Sequence, residues 1–218
     1  MENSVASFPL ILLAGGKSSR MGIPKGLLLY QGRPWLLEQI HRFDAAGGKR
    51  VFVVLGFHSE EYKDNILELA HNDLPSTSFP NLRISVTVNP RPQLGPFSSL
   101  HCALATLEKE GHPGAFVLPI DVPGPGRDVF QKMAQSFLNT FEALVPQFQN
   151  KGGHPVLLSR SFTGRLAQIS PNAGEARLDF QIRVLPRDKV AYLPVSDERV
   201  CLNMNGPEDF LRYCGKSA

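Results

Sequence analysis

Short apolar runs alternate along this chain with longer segments in which apolar residues recur every three or four positions. The runs have the length of buried strands, and the first of them is too short to span a membrane. They predict strands over residues 9–14, 51–55, 82–88, 115–118 and 143–145.

The segments between these runs have the spacing of amphipathic helices. After Pro34, which is favoured in a first helical turn, apolar positions recur from Trp35 to Phe43, with Gln39 at the same spacing, and Ala-Ala-Gly-Gly follows at residues 45–48. Similar patterns predict helices over residues 58–71, 97–107 and 129–141. Strands that alternate with helices are typical of a three-layer α/β fold, in which helices cover both faces of a mostly parallel sheet.

Composition is that of a globular protein of ordinary size. The 218 residues are 42% apolar, which favours a single domain spanning residues 1–218. A formal charge of +3 is too weak to indicate binding to nucleic acid or to a membrane. The three cysteines form no Cys-x-x-Cys pair, and no basic export signal precedes the first strand. We expect a cytoplasmic protein that is a monomer or a weak homo-oligomer.

A glycine-rich, basic segment directly follows the first predicted strand. Residues 13–25 are Leu-Ala-Gly-Gly-Lys-Ser-Ser-Arg-Met-Gly-Ile-Pro-Lys. Ligands of open α/β sheets bind at the carboxyl edge of the strands, and glycines let backbone N–H groups approach phosphate oxygens. Lys17, Arg20 and Lys25 add three cations. The segment is therefore a candidate triphosphate-binding loop.

Two better-known phosphate loops do not fit this segment. A Walker loop has a glycine five residues before its Gly-Lys-Ser, where this chain has Ile11 inside the predicted strand. Gly15, Gly16 and Gly22 do not form the Gly-x-Gly-x-x-Gly of dinucleotide-binding proteins. The remaining alternative is a solvated turn, which glycine, serine and lysine also favour.

A carboxylate follows the fourth predicted strand. Residues 118–124 are Leu-Pro-Ile-Asp-Val-Pro-Gly, so we expect Asp121 on a rigid turn at the same edge of the sheet. Mg²⁺ prefers carboxylate and phosphate oxygens, and one carboxylate suffices where a nucleotide supplies other ligands. The alternative is an aspartate that only shapes the Pro-Gly turn.

Three further segments combine polar residues with turns or helix starts. Residues 89–100 begin with Asn-Pro-Arg-Pro and enter a helix through Gly-Pro-Phe-Ser-Ser-Leu. Residues 152–155 are Gly-Gly-His-Pro, and residues 201–210 predict a strand, a turn and a helix that starts at Pro207. Each segment is also compatible with a plain loop or helix cap. Arg177 and the other charges of residues 159–193 are expected to be solvated.

Together these motifs resemble the nucleotidyltransferase family that includes the molybdenum cofactor guanylyltransferases and cytidylyltransferases. The resemblance implies a Rossmann-like, nucleotide-diphospho-sugar transferase (GT-A-like) architecture. It implies catalytic roles for Lys25, Arg20 and Asp121, Mg²⁺ binding by Asp121 and Asn205, and acceptor binding by His154. It also implies nucleotide contacts from Leu13, Ala14, Gly15, Gly16, Lys17, Ser18, Lys25, Asn89, Gly95 and Ser99.

The family reaction joins a nucleoside monophosphate from GTP or CTP to a phosphorylated acceptor and releases pyrophosphate. The resemblance favours a molybdopterin-like acceptor, and a sugar or polyol phosphate is the alternative. Gly206 replaces the family's threonine, and Asn203 and Asn205 are amides that resemble the guanylyltransferase version, whereas cytidylyltransferase-like members carry aspartates. A nucleotide-binding regulatory module without turnover therefore stays open. A small-molecule kinase that uses the loop for ATP is a further alternative.

Overall fold

The computed structural model describes residues 3–70 and 78–216, which form one eight-stranded sheet and a short two-stranded hairpin. The hairpin consists of β2 (Leu29–Tyr30) and β3 (Arg33–Pro34). The strands of the large sheet are β1 (Leu10–Ala14), β4 (Arg50–Leu55), β5 (Arg83–Val88), β6 (Gly114–Pro119), β7 (Ala143–Phe148), β8 (Lys151–Gly152), β9 (Val156–Ser159) and β10 (Val190–Pro194).

The strand order of the large sheet is β5-β4-β1-β6-β9-β7-β10, and β8 pairs with β7. Strand β1 lies between β4 and β6 and is parallel to both. Strand β9 is antiparallel to β6 and to β7, and β7 is parallel to β10. The prediction of a mostly parallel sheet is therefore confirmed, and β1, β4, β5 and β6 end at the same edge.

Helices cover both faces of the sheet, as the three-layer prediction requires. They are α1 (Trp35–Ala45), α2 (Ser59–Asn65), α3 (Leu67–Ala70), α4 (Pro96–Glu110), α5 (Arg127–Ser136), α6 (Arg160–Leu166), α7 (Leu178–Arg183) and α8 (Pro207–Lys216). None of the helices in the described ranges is long and apolar enough to cross a membrane.

Alternating residues of the central strands divide the interior into two cores. Leu10, Leu12 and Ala14 of β1 pack with α1 and α5, whereas Ile11 and Leu13 pack with α4 and α6 on the other face. Both faces of β1 are thus covered, which explains why its sequence is continuously apolar instead of alternating.

Three predicted elements differ from the structure. The predicted helix over 58–71 is two helices, because Ile66 is extended between α2 and α3; residue 71 lies outside the described residues. The predicted helix over 129–141 ends at Ser136, since Phe137 is extended. No strand precedes α8 within residues 195–206, where a 3-10 turn and an irregular segment lie instead.

The buried surface of β1 should dominate stability. Leu12 is completely buried, whereas Leu67 is 76% exposed. We expect Leu12→Ala to lower the free energy of unfolding by about 2 to 5 kcal/mol, because it leaves a cavity in the core. Leu67→Ala is the control and should change it by less than about 0.5 kcal/mol. Urea denaturation measures both, and equal effects would contradict the core assignment.

Candidate active site

The segments that follow β1, β4, β5 and β6 meet at the carboxyl edge of the sheet. Together with Asn205 they line a cleft of about 350 Å³. We call it the loop cleft, because the glycine-rich segment forms one wall. A second cavity of about 800 Å³ lies beside it. The two share the side chains of Leu13, Pro96, Pro119 and Asp121. Asp121 therefore lies on the border between the two cavities.

The glycine-rich loop is closed on itself and fastened to α2. The Ser18 hydroxyl accepts a hydrogen bond from the Lys25 backbone N–H (3.0 Å), and the Tyr62 hydroxyl accepts one from the Gly26 N–H (3.0 Å). Burial of Tyr62 raises its pKa to about 12, so the phenol stays protonated at neutral pH. These contacts hold the backbone on which the Lys25 side chain is mounted.

The first glycine of the loop is required by close packing. A Cβ on Gly15 would lie 2.8 Å from the Ser99 Oγ, nearer than real Cβ contacts come. The Gly15 carbonyl also accepts a hydrogen bond from the Phe57 N–H (3.3 Å). Contact with the segment after β4 and with the start of α4 thus fixes this end of the loop.

Lys25 and Asp121 lie side by side, although they are 96 positions apart in the sequence. The Lys25 Nζ is 3.7 Å from the Asp121 Oδ2, and their side chains are 13% and 33% exposed. The loop and the carboxylate therefore converge on one point, as a shared role in phosphate chemistry requires.

The turn that carries Asp121 is held by one face of α1. Side chains spaced four and three residues apart project from the same side of a helix. Here three such side chains, which we call the α1 donor row, donate to alternate carbonyls of this turn. The bonds run from Trp35 Nε1 to Ile120 (2.8 Å), from Gln39 Nε2 to Val122 (2.6 Å) and from Arg42 Nη1 to Gly124 (2.9 Å).

The segment before α8 completes the border between the two cavities. The Met204 N–H donates to the Asp121 carbonyl (2.8 Å). Asn203 on one side of Met204 lines the second cavity, and Asn205 on the other side lines the loop cleft. The Asp209 carboxylate accepts the backbone N–H of Asn205 (3.0 Å) and caps α8. The helix-cap interpretation and a ligand role for the Asn205 amide are thus compatible.

The residues with implied nucleotide contacts fall into two groups. Those that line the loop cleft are Leu13, Gly15, Gly16, Lys17, Ser18, Lys25, Gly95 and Ser99, and the catalytic candidate Arg20 lines it as well. Ala14 is completely buried in β1. Asn89 is also buried and lies behind the cleft wall, where its amide donates to the Oγ atoms of Ser98 (2.8 Å) and Ser99 (3.1 Å). Asn89 therefore orients Ser99.

His154 lines the second cavity together with the Gly-Gly turn before it. Its backbone N–H donates to the Val200 carbonyl (2.8 Å), and its buried Nδ1 has no hydrogen-bond partner of ordinary geometry. Burial lowers the pKa of the imidazole, although a hydrogen bond to the Val117 backbone and the charge of Asp121 act in the opposite direction. The ring is thus predominantly neutral at pH 7.

Sequence reasoning missed several residues that build the site. Gln39 stands at a position where the helical spacing predicts an apolar, buried residue. Its polar amide is the only sequence signal that it does more than pack in the core. Arg177 and Asp179 were expected to be solvated; they are exposed and ion-paired (2.8 Å), but they also line the second cavity. Local charge patterning cannot show that residues 176–182 fold over this cavity.

The MobA-like NTP transferase domain is the family whose model matches this chain, over residues 10–185. Because that match covers most of the sequence, the chain belongs to this family of nucleotidyltransferases.

Two curated relatives are named probable molybdenum cofactor guanylyltransferase. The protein of Pyrococcus horikoshii is 27% identical over 206 residues, covering 91% of this chain and 94% of that protein. The protein of Rhodopirellula baltica is 30% identical over 114 residues, covering 52% of this chain and 47% of that protein. The matched part thus spans about half the length of the Rhodopirellula protein.

Solved structures share the fold at lower identity. The crystal structure of Rv0371c from Mycobacterium tuberculosis H37Rv matches with a TM-score of 0.73 and 21% identity, covering 95% of this chain and 98% of that chain. A structure of the same protein in complex with manganese matches with a TM-score of 0.69 and 19% identity, at the same coverage.

The close packing of Gly15 against Ser99 predicts that a substitution of this glycine affects both stability and ligand binding. We expect Gly15→Ala to destabilise the protein by about 1 to 3 kcal/mol and to weaken nucleoside triphosphate binding, because the added methyl group meets the Ser99 Oγ. Gly16→Ala is the matched control for stability, since a Cβ there meets nothing within 4 Å. Thermal shift with and without GTP measures both effects, and Ser99→Ala in the Gly15→Ala background should restore part of the loss. Equal destabilisation by the two alanine substitutions would contradict the close packing of Gly15 against Ser99.

The burial of His154 predicts that the free energy of unfolding depends on pH. The folded state keeps the imidazole neutral below the ordinary histidine pKa of about 6.5, whereas the unfolded chain binds a proton there. The free energy of unfolding should therefore decrease as pH falls through 6.5. His154→Gln should remove part of this dependence in urea titrations at pH 5.5 and 7.5. An unchanged pH dependence would show that other groups cause it.

Proposed function

We propose that this protein transfers a nucleoside monophosphate from GTP or CTP to a phosphorylated acceptor and releases pyrophosphate. The supporting observation is the pairing of Lys25 with Asp121 at the border of two cavities. One cavity is lined by the cationic loop and suits a triphosphate. The other has room for a separate acceptor, so the attacking group and the α-phosphate can meet at this border.

The residues of the loop cleft have distinct roles in this proposal. Lys25 contacts the α-phosphate, while Arg20 and Lys17 contact the leaving pyrophosphate. Backbone N–H groups of Gly15 and Gly16 face the β- and γ-phosphates. The acceptor phosphate is already anionic at neutral pH, so that no general base is required. Catalysis then consists of bringing two anions together in line and stabilising the charge that develops.

The donor set at the border fits a divalent cation of the magnesium type. No group of three or more His, Cys, Asp or Glu side chains converges within residues 3–70 and 78–216, so the protein alone offers no metal cage. Asp121 and the Asn205 amide would supply one or two oxygens, and Mg²⁺ typically takes its other ligands from phosphates and water. When bound, it would neutralise phosphate charge. The manganese complex of Rv0371c agrees with a divalent-metal requirement.

The second cavity favours a molybdopterin-like acceptor over a sugar or polyol phosphate. Its walls are mostly apolar, and amides of Gln147, Asn150 and Asn203 supply the polar contacts. Among the described residues that line it, the only cation is Arg177, whose charge is paired with Asp179. A flat ring with a polar edge fits such walls better than a polyol, which would need a hydrogen bond for each hydroxyl. The names of both relatives favour GTP as the donor.

Removal of either member of the central pair should abolish most turnover. We expect Lys25→Ala and Asp121→Asn each to lower kcat about a hundredfold, since losing one preorganised charge contact costs on the order of 3 kcal/mol in the barrier. The controls Lys63→Ala and Asp188→Asn change surface charges outside both cavities. The assay follows pyrophosphate release from GTP and from CTP with Mg²⁺ and molybdopterin.

The assay distinguishes the proposed nucleotidyl transfer from two other functions. A nucleotide-binding regulatory module would bind GTP but release no pyrophosphate, and a kinase would transfer only the γ-phosphate. Full activity in both variants would overturn the proposed mechanism.

A further inference from the structure

The backbone around Asp121 is held more completely than a turn requires. The Ile120 N–H donates to the Leu13 carbonyl (3.0 Å), and the Val122 N–H donates to the Pro119 carbonyl (3.1 Å). The carbonyl of Asp121 itself is bound by the Met204 N–H (2.8 Å). The α1 donor row binds the carbonyls on either side. Hydrogen bonds therefore fix the direction in which the Asp121 side chain leaves the backbone.

Within the α1 donor row, Gln39 makes the most specific contact with this turn. Its Nε2 donates to the Val122 carbonyl (2.6 Å), and its Oε1 accepts the Gly124 N–H (2.7 Å). Gln39 is completely buried, and burying a primary amide is costly unless both of its polar atoms are paired. Both of these hydrogen bonds of the side chain go to the turn that carries Asp121.

The two neighbours of Gln39 have additional roles. Arg42 also binds Glu38 (2.8 Å) and the Tyr213 hydroxyl (2.8 Å), and its guanidinium lies over aromatic rings. Trp35 packs in the core against Tyr30, Phe210 and Tyr213. Substitution of either would disturb the packing of α8 as well. Gln39 is thus the residue whose loss most selectively loosens the Asp121 turn.

We infer that Gln39 is a positioning residue for the metal-binding carboxylate: its amide fixes the turn after Asp121 so that the carboxylate faces the shared border of the two cavities. This inference rests on the proposed function, because it assumes that Asp121 binds the divalent cation of the nucleotide complex. Groups that orient metal ligands typically change metal affinity by about 10- to 100-fold when removed. A residue that only stabilises the fold has no such effect.

The test uses Mn²⁺ as the probe, because its electron paramagnetic resonance signal reports binding without turnover. Mn²⁺ is titrated into the full-length protein saturated with the non-transferable analogue guanosine 5′-(α,β-methylene)triphosphate. Gln39→Met keeps the length of the side chain and removes both hydrogen bonds. We expect it to weaken Mn²⁺ binding about tenfold. With GTP and Mg²⁺, kcat should fall while the KM for GTP changes less than twofold, and added Mg²⁺ should recover part of kcat.

Thr163→Val is the matched control, because Thr163 is a buried polar residue in α6 whose hydroxyl donates to the Arg160 carbonyl (3.0 Å). It should lower thermal stability and leave Mn²⁺ affinity unchanged. Gly124→Ala is a milder second variant, since its Cβ would lie 3.1 Å from the Gln39 Oε1. It retains every polar group and should weaken Mn²⁺ binding in the same direction by a smaller factor.

The outcomes are separable. If the folded Gln39→Met and Gly124→Ala variants bind Mn²⁺ as tightly as the wild type, the inference is overturned. If the wild type binds the Mn²⁺–nucleotide complex but releases no pyrophosphate from GTP or CTP, the proposed function fails while the metal titration still decides the role of Gln39.

Discussion

The ion pair between Lys25 and Asp121 is the interaction on which the candidate site depends. A cation and a carboxylate 3.7 Å apart attract each other more strongly in a partly buried cleft than in bulk water. The pair links the loop after β1 to the turn after β6. In the proposed function, a nucleotide in the loop cleft would meet the cation on one side and the carboxylate on the other.

The parallel sheet makes this meeting possible. Because β1 and β6 are adjacent and parallel, the segments that follow them leave at the same edge. Two sets of hydrogen bonds then restrict the positions of the loop and the turn. Tyr62 and Ser18 hold the loop that carries Lys25, while the α1 donor row and Met204 hold the turn that carries Asp121. The backbone at each of these two side chains is thus held by its own set of hydrogen bonds.

Much of the fold could be predicted from the sequence, because continuous apolar runs such as residues 9–14 have few stable alternatives to a buried strand. Helical spacing was less decisive over residues 58–71. Tyr62, Ile66 and Leu69 are all buried as predicted, but two short helices bury them as well as one long helix would. The antiparallel strand β9 depends on pairing between distant segments, which local patterns do not encode.

The site could be predicted only where a local motif carries it. The glycine-rich loop and Asp121 are such motifs, whereas Gln39 and Arg177 act through contacts that appear only after folding. The central claim, that Lys25 and Asp121 act on one bound nucleotide, is tested most directly by a crystal structure with Mn²⁺ and guanosine 5′-(α,β-methylene)triphosphate. We predict a metal ion about 2.1 Å from an Asp121 oxygen and the Lys25 Nζ within hydrogen-bond distance of the α-phosphate. A metal ion bound away from Asp121, or a triphosphate outside the loop cleft, would contradict the claim.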